Sequence, residues 1–191
     1  MSPTEDKAAA SRARIGVVGA GWWSQGWHLP CLQRNPEARI VAIVDVCACP
    51  KSSLNPELES LEKLGQRYGT QVFASVEDMM NNDGIRLSLD GVLIATPHAS
   101  HYEVARSIIS FAGKPFNILM EKPMSTDIRH AIEMHRLFSR QSYEDPGPSF
   151  AGSFWINHSA NFRPQARLAR QTVASGGIGS IRHITAFLHH P

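Results

Sequence analysis

Short, continuous apolar runs recur along the chain, and each is followed by a segment with helical spacing of apolar residues. The runs lie at residues 15–18, 40–44, 71–73, 91–95 and 117–120. Strands without alternation of apolar and polar residues are typical of a parallel sheet that is covered on both faces. Their repeated alternation with helices predicts an α/β fold, a doubly wound parallel sheet with right-handed crossovers.

Between the runs, apolar residues spaced three or four apart predict helices with one buried face. Three such faces comprise Leu58, Leu61, Leu64 and Tyr68; Val104, Ala105, Ile108 and Ala112; and Ile128, Ala131, Ile132, His135 and Phe138. Pro30 falls within the first helical pattern and is expected to bend that helix or to mark a boundary in it. Ser75 is expected to cap the start of another helix.

The last quarter of the chain predicts a different organisation. Residues 141–149 are rich in turn-forming residues and predict a break. Beyond it we expect a last strand at 150–156, a helix at 162–174 that ends at two glycines, and a strand at 181–188 without an obvious partner. The predicted domains are a disordered lead over 1–12, a sheet domain over 13–149, and residues 150–191 as its last strand and the incomplete beginning of a truncated second, α+β domain.

Composition narrows the class of protein. The 191 residues carry 19 basic and 17 acidic side chains, a net charge of +2, which argues against a dedicated nucleic-acid binder. No apolar run approaches the length of a membrane span, and the first residues lack the apolar core of a secretory signal. Three cysteines cannot form a paired framework, so we expect reduced thiols, no metal site and a cytoplasmic location.

The strongest chemical signal is a glycine turn between two predicted strands. The first strand runs into Gly19-Ala20-Gly21-Trp22-Trp23, and the next strand ends at Asp45, twenty-four residues after the second turn glycine. A βαβ unit binds a dinucleotide with this arrangement. Gly19 would allow the sharp turn and Gly21 the close approach of a pyrophosphate, which the following helix would meet with its free N–H groups.

In the same unit, Asp45 would accept hydrogen bonds from a ribose. Ser24 stands where the usual third glycine would be, so its hydroxyl should lie beside the backbone or hold the helix slightly away from the strand. The alternative interpretation of the glycines is a structural turn in an α/β domain that binds another ligand.

Two further segments follow predicted strands and should lie at the same edge of the sheet. One contains Thr96-Pro97-His98 and, three residues later, His101; the other is Glu121-Lys122-Pro123. Ligands of open α/β sheets bind outside the carboxyl ends of the strands, so these side chains should face the cleft. A lone lysine is usually a solvated surface residue, but this position would aim Lys122 toward the nicotinamide end of a cofactor.

Together these segments resemble the Gfo/Idh/MocA family of NAD(P)-dependent oxidoreductases. The resemblance covers roughly residues 13–188 and rests on the glycine turn, His28-Leu29-Pro30, Thr96-Pro97 with His101, Glu121-Lys122-Pro123, an Asn/Phe/Arg/Pro segment at 157–164 and a Gly-x-Ile-Gly turn at 176–179. It implies hydride transfer between a nicotinamide cofactor and a sugar, polyol or related small molecule, and a family-type homo-oligomer is possible.

The resemblance also implies roles for individual residues. Lys122 would be the catalytic residue, donating a hydrogen bond to the reacting oxygen or to the cofactor ribose. The implied cofactor-binding residues are Gly19, Ala20, Gly21, Trp22, Trp23, Asp45, Thr96, Pro97, His98, His101, Glu121, Lys122 and Arg163. Asp45 favours NAD over NADP because a carboxylate repels a 2′-phosphate, although Lys51 leaves NADP open.

The chain departs from the family pattern at several points. Position 98 is His where the family commonly has Asn, and residues 112–121 form a link about two residues longer than usual. No Asp-x-x-x-His pattern, which completes the acid/base residues in the family's second domain, follows Asp145. We therefore weigh an incomplete dehydrogenase against a nucleotide-binding module or partner subunit without turnover. A methyltransferase-like fold gives no role to the segments at 96–97 and 121–123.

Overall fold

The computed structural model describes residues 12–111, 117–138 and 152–185. The chain divides into two compact units, Met1–Asn157 and His158–Pro191, which are described one at a time. The expected lead, apart from Arg12, and the expected break at 141–149 lie outside the described residues.

The first unit is built on six parallel strands. They are β1 (Ala13–Val18), β2 (Ala38–Val44), β3 (Gln71–Phe73), β4 (Gly91–Ile94), β5 (Asn117–Glu121) and β6 (Phe154–Asn157). Their spatial order is β3-β2-β1-β4-β5-β6. All five predicted apolar runs form strands, the strand predicted at 150–156 is observed as β6 at 154–157, and the doubly wound fold is confirmed. The order reverses between β1 and β4, which is where such sheets bind ligands.

Helices connect these strands and cover both faces of the sheet. They are a π-helical turn (Ser24–His28) that continues into α1 (Leu29–Arg34), then α2 (Leu61–Tyr68), α3 (Val76–Asn81), α4 (Asp83–Arg86), a 3-10 turn (His98–Ser100), α5 (His101–Ser110) and α6 (Ile128–Phe138). Pro30 lies in the first turn of α1, so it marks a boundary as predicted. The Ser75 hydroxyl accepts the Asp78 N–H at 3.0 Å and caps α3, also as predicted.

The apolar core lies in two layers, one on each face of the sheet. Successive strand residues point to opposite faces, so Val17 packs with Leu29 and Leu64 while the adjacent Val18 packs in the other layer with Met120. Burial on both faces explains why the strands read as continuous apolar runs. The sheet is therefore a rigid platform whose edges remain available for binding.

The predicted buried face of α6 is wrong. Ile128 and Ile132 are 74% and 46% exposed, whereas Met134, which the prediction omitted, is fully buried. The His130 ring stacks on Tyr102 with 4.0 Å between centroids and 7° between planes. This stacking and the burial of the flexible Met134 side chain set the rotation of the helix, so the two isoleucines face solvent.

The second unit contains a 3-10 turn (Ser159–Phe162) and α7 (Pro164–Ala174). The predicted helix is confirmed, and Gly176 follows it with a positive φ of 73°, which favours glycine. The predicted strand at 181–188 is wrong over residues 181–185, which have no regular structure. No strand of the described residues pairs with them, and the remainder of that run lies outside the described part of the chain.

Candidate functional site

Four of the predicted site segments follow the carboxyl ends of neighbouring strands. Gly19 follows β1, Asp45 follows β2, Thr96 comes two residues after β4, and Glu121 ends β5. Because the strands are parallel and adjacent, these residues lie along one edge of the sheet, on both sides of the switch point. The candidate site is built on this edge.

Gly19 is required by the backbone of the turn. Its φ is +99°, and its N–H donates to the Val44 carbonyl at 2.8 Å. A Cβ added here would lie 2.6 Å from the Ala95 carbonyl oxygen and 2.8 Å from the Thr96 nitrogen. The turn after β1 is therefore packed directly against the chain that leaves β4, and no side chain fits between them.

Gly21 has a different environment. No heavy atom lies within 4 Å of a Cβ added at this position, so its backbone faces open space. Residues 22–34 are helical, and the first N–H groups of a helix have no partner within it. A ligand phosphate can therefore approach the backbone at Gly21 and meet the positive end of this helix.

Ser24 shows how the helix packs without the third glycine. Its side chain is fully buried, and its hydroxyl donates a hydrogen bond to the Gly19 carbonyl. The expectation that the hydroxyl lies beside the backbone is confirmed. The serine thereby joins the start of the helix to the turn.

Asp45 joins the tip of β2 to the glycine turn. One carboxylate oxygen accepts the Ala20 N–H at 2.7 Å, and the other accepts the Cys47 N–H at 2.8 Å. A carboxylate offers about four acceptor positions, so each oxygen can still accept a hydroxyl hydrogen. The residues expected at the pyrophosphate and at the ribose are thus in direct contact.

Gln25 holds the turn from the other side. Its side-chain amide donates to the carbonyls of Ala20, at 2.8 Å, and Glu59, at 3.0 Å, while its oxygen accepts the Glu59 N–H at 2.9 Å. These bonds fix the turn relative to the segment that leads into α2. The glycine turn is therefore held by side chains from both directions.

Glu121 is the most densely bonded side chain at this edge. Its Oε1 accepts hydrogen bonds from the Trp23 indole at 2.9 Å and from the Asn157 amide at 2.7 Å, and His28 Nε2 lies 2.8 Å away. Its other oxygen is 3.3 Å from the Lys122 N–H. The carboxylate thus joins the first helix, β5 and the end of β6.

The π-helical turn makes this convergence possible. Trp23 and His28 are five residues apart, and in a regular α-helix such residues point about 140° away from each other. Here the Leu29 N–H bonds to the Ser24 carbonyl, five residues back, which brings residues five apart onto one side of the helix. Both side chains therefore reach the same oxygen of Glu121.

The protonation of Glu121 follows from these contacts. Burial alone would raise the pKa of Glu121, but the hydrogen bonds from Asn157, Trp23 and His28, together with the electrostatic attraction of His28, lower it below the ordinary value of 4.5. The carboxylate is therefore ionised at neutral pH. It supplies a fixed negative charge next to Lys122.

The Lys122 side chain is exposed, and no ion pair within the described ranges engages its ammonium group. The peptide bond that joins Lys122 to Pro123 is cis. The lysine follows the buried Glu121 directly, so its Cα is held at the strand end while its side chain is available to solvent and ligands.

His101 lies behind the cleft and does not face it. The residue is fully buried, with Nδ1 2.8 Å from the Pro123 carbonyl and Nε2 3.0 Å from the Thr96 carbonyl. It connects the loops after β4 and β5. Thr96 itself has a buried hydroxyl without a hydrogen-bond partner among the described residues.

The structure thus gathers most of the predicted site residues at one edge. Trp22 and Trp23 begin the helix after the turn, with ring centroids 5.3 Å apart, and Pro97 and His98 are exposed beside Thr96. Arg163 belongs to the second unit, where it precedes α7, so its predicted role in cofactor binding stays a prediction.

Two of the side chains that contact Glu121 were not assigned a role from the sequence. His28 belongs to the His-Leu-Pro segment and Asn157 begins the Asn/Phe/Arg/Pro segment, so both stood in recognised motifs. Their contact with Glu121 depends on the π-helical turn and on the pairing of β5 with β6. Neither feature is visible in the pattern of apolar residues.

The described residues also bear on metal binding, membrane insertion and cysteine chemistry. The described residues contain no group of three or more His, Cys, Asp or Glu side chains placed to hold a metal ion. Within the same part of the chain, no helix has the length and apolar character needed to cross a membrane. Cys31, Cys47 and Cys49 are free thiols at exposed positions.

Comparison with known families gives one match over most of the chain. Residues 13–143 match the oxidoreductase family with an NAD-binding Rossmann fold, known as GFO_IDH_MocA. The matched segment begins at β1 and extends beyond α6, so it includes the glycine turn, Asp45, Thr96 and Lys122.

Curated relatives are more distant. The chain is 24% identical over 177 residues to the rhizopine catabolism protein MocA of Rhizobium meliloti, which covers 93% of this chain and 47% of that protein. It is 25% identical over 182 residues to dTDP-3,4-didehydro-2,6-dideoxy-alpha-D-glucose 3-reductase of Actinomadura kijaniata, covering 95% and 47% respectively. The chain spans about half the length of the curated relatives it matches.

Solved structures show the same fold. The scyllo-inositol dehydrogenase of Lactobacillus casei, with bound NAD(H) and scyllo-inositol, matches with a TM-score of 0.65 and 21% identity over 88% of this chain and 42% of that one. The WlbA dehydrogenase of Bordetella pertussis, in complex with NADH and UDP-GlcNAcA, gives 0.66 and 21% over 88% and 43%.

Proposed function

Because this chain belongs to the oxidoreductase family with the NAD-binding Rossmann fold, we propose that its glycine turn and Asp45 bind the adenosine diphosphate half of NAD. The observation that carries the proposal is the 2.7 Å bond from the Ala20 N–H to the Asp45 carboxylate. It holds the acceptor for the ribose hydroxyls beside the backbone that faces a pyrophosphate. The open space at Gly21 leaves room for the phosphates.

The chain's residues fit this cofactor at its other end as well. The unpartnered Thr96 hydroxyl and the exposed Pro97 and His98 would border the nicotinamide side of the cleft. A bound nicotinamide supplies hydride chemistry. Asp45 favours NAD over NADP because its negative charge repels a 2′-phosphate.

Lys122 is the residue proposed to act in catalysis. Its free ammonium group would donate a hydrogen bond to the reacting oxygen of the substrate and stabilise negative charge that develops there. Glu121, ionised and held by three side chains, would position the lysine through the adjacent backbone. His101 would fix the relative placement of Thr96 and Pro123 on either side of the cleft.

The proposed substrate is a sugar, a polyol or a related hydroxyl or carbonyl compound. Of the proteins named above, the reductase is named for a sugar nucleotide, WlbA is in complex with a sugar nucleotide, and the scyllo-inositol dehydrogenase has its inositol bound. Such molecules present hydroxyl groups to which Lys122 can donate a hydrogen bond. The proposed compartment is the cytoplasm, which agrees with three unpaired thiols.

A nucleotide-binding module without turnover is the second candidate. Residues 158–191 contain no Asp or Glu, so these residues provide no carboxylate for proton transfer. We expect the 191-residue chain to bind a pyridine nucleotide and to show negligible turnover with a panel of sugars and polyols. Robust turnover would eliminate this second candidate.

Cofactor binding is tested by titrating the chain with NADH and NADPH while following the fluorescence of the reduced nicotinamide. Asp45→Asn should raise the ratio of NADPH to NADH affinity by about tenfold or more, because charges 4 Å apart near a protein surface interact by up to about 4 kcal/mol. Asp78→Asn, at an exposed position in α3, is the matched control. Absence of binding at millimolar NADH and NADPH would refute the proposal.

A further inference from the structure

A cavity lies at the edge of the sheet opposite the candidate site, where β1 and β2 begin. Its volume is about 510 Å³, and it is bordered by α2 and by the segment that enters β3. Ala42 is the first residue of β2 to pair with β3, so the beginning of β2 extends past β3. The cavity lies along this part of β2, which has no pairing with β3. None of the residues proposed to bind NAD lines it.

Two arginines lie side by side at this cavity. Arg14 and Arg39 occupy the same register position on β1 and β2, so their side chains leave the same face of the sheet. Neighbouring like charges on a sheet repel each other. No ion pair joins either guanidinium to a carboxylate in the part of the chain that the structure describes. The Asp90 carboxylate accepts the Arg14 main-chain N–H and not its guanidinium group.

The cavity also holds two buried polar atoms without hydrogen bonds. Arg14 Nε and Thr70 Oγ1 both lack a partner among the described residues, and both residues line the cavity. Buried donors in native proteins almost always have partners. Among the described residues, the cavity wall thus contains two guanidinium groups without a carboxylate partner and one hydroxyl without a hydrogen bond, which indicates a missing acceptor.

We propose that this cavity binds the phosphate group of a small molecule. The guanidinium groups of Arg14 and Arg39 and the Thr70 hydroxyl come from three separate segments, so together they can reach a tetrahedral oxyanion from several directions. Glu62 also lines the cavity, where its carboxylate accepts the Gln66 amide at 3.4 Å. Two guanidinium groups against one carboxylate leave the cavity net positive.

The volume suits a small metabolite more than a bare ion, since ligand pockets commonly measure about 300–1,000 Å³. Gly69, at the end of α2, also lines the cavity and has no heavy atom within 4 Å of an added Cβ, so this wall has free space. The phosphate would lie at the arginines and the remainder of the molecule along α2. This proposal does not depend on the proposed dehydrogenase function.

The test uses the 191-residue chain and inorganic phosphate as the probe, with binding measured by calorimetry at constant ionic strength. Arg14→Gln and Arg39→Gln should each weaken phosphate binding by about tenfold to 150-fold, since each removes a charge-assisted hydrogen bond. Arg39 is exposed, so its variant should fold even if Arg14→Gln does not. Arg106→Gln, an exposed arginine on α5, is the matched control and should change affinity less than twofold.

Phosphate can also bind at the glycine turn, so Gly21→Ala is measured in parallel. Retention of phosphate binding in Gly21→Ala and its loss in Arg39→Gln support the proposed cavity. Loss of binding in Gly21→Ala, equal effects of Arg39→Gln and Arg106→Gln, or no binding at about 10 mM phosphate would each overturn it. Acetate binding as tightly as phosphate would also overturn the assignment to a phosphate group.

Discussion

The two glycines of the turn after β1 have different environments. Substituting each by alanine should therefore separate the effect on stability from the effect on cofactor binding. Gly19→Ala places a Cβ 2.6 Å from the Ala95 carbonyl oxygen, at a residue whose φ is +99°. Gly21→Ala places a Cβ in open space at a residue with an ordinary φ. The same chemical change, two residues apart, should therefore have two different consequences.

The magnitudes follow from these environments. An unfavourable backbone conformation costs about 1–3 kcal/mol, and forcing a methyl group against backbone atoms costs about 1–3 kcal/mol more. Gly19→Ala should therefore lower the free energy of unfolding by about 2–6 kcal/mol. Gly21→Ala should leave it unchanged or raise it by up to about 1 kcal/mol, because alanine restricts the unfolded chain more than glycine does.

Binding should show the reverse order. A Cβ at Gly21 occupies the space that a pyrophosphate needs, and overpacking of about 1–3 kcal/mol corresponds to a loss of roughly fivefold to 150-fold in NADH affinity. Gly21→Ala should therefore bind NADH poorly while folding normally.

Urea unfolding measures the first effect, and NADH titration of the folded variants measures the second. Normal stability of Gly19→Ala would show that the turn does not pack against the end of β4. Normal NADH affinity of a stable Gly21→Ala would show that the phosphates do not bind over this glycine.

Two further predictions concern residues that hold the loops of the site. Glu121→Gln should lower the free energy of unfolding by about 1–3 kcal/mol at pH 7, because hydrogen bonds to a charged acceptor are lost. The pKa of Glu121 is lowered in the folded protein, so the wild type loses this stabilisation as the pH falls from 4.5 through the lower folded value. The variant should lack that loss, and an equal pH dependence in urea unfolding of both proteins would contradict the contacts. His101→Ala should cost about 2–4 kcal/mol because a cavity opens and the ring's hydrogen bond to a loop carbonyl is lost, whereas the exposed His98→Ala should change stability by less than about 0.5 kcal/mol. Equal effects of the two histidine variants in thermal unfolding would refute the positioning role of His101.

The strands and the edge of the site follow from local patterns. Buried parallel strands read as continuous apolar runs, so β1 to β5 are predictable without knowledge of tertiary contacts. The glycine turn, Asp45 and Lys122 are predictable because each is placed by the end of a strand. Their order along the edge then follows from the doubly wound topology.

The orientations of side chains and helices that depend on tertiary packing could not be predicted from the sequence. The rotation of α6 is set by Met134 and by His130 on Tyr102, and isoleucine spacing alone indicated a different face. The orientation of His101 toward two backbone carbonyls is equally invisible, because the same motif is compatible with a ring that faces the cleft. Side chains that bridge loops are chosen by three-dimensional proximity, which spacing along the chain does not encode.

The widened helical turn at Ser24–His28 has a consequence for protein engineering. It fixes the phase of everything that follows, since winding the same residues as a regular α-helix would rotate the downstream segment by about 100°. Leu29 would then leave the core and His28 would leave Glu121. Loop grafts or chimeras made with related proteins should therefore exchange this helix whole, because a splice point inside it would misalign both its packing and its polar contacts.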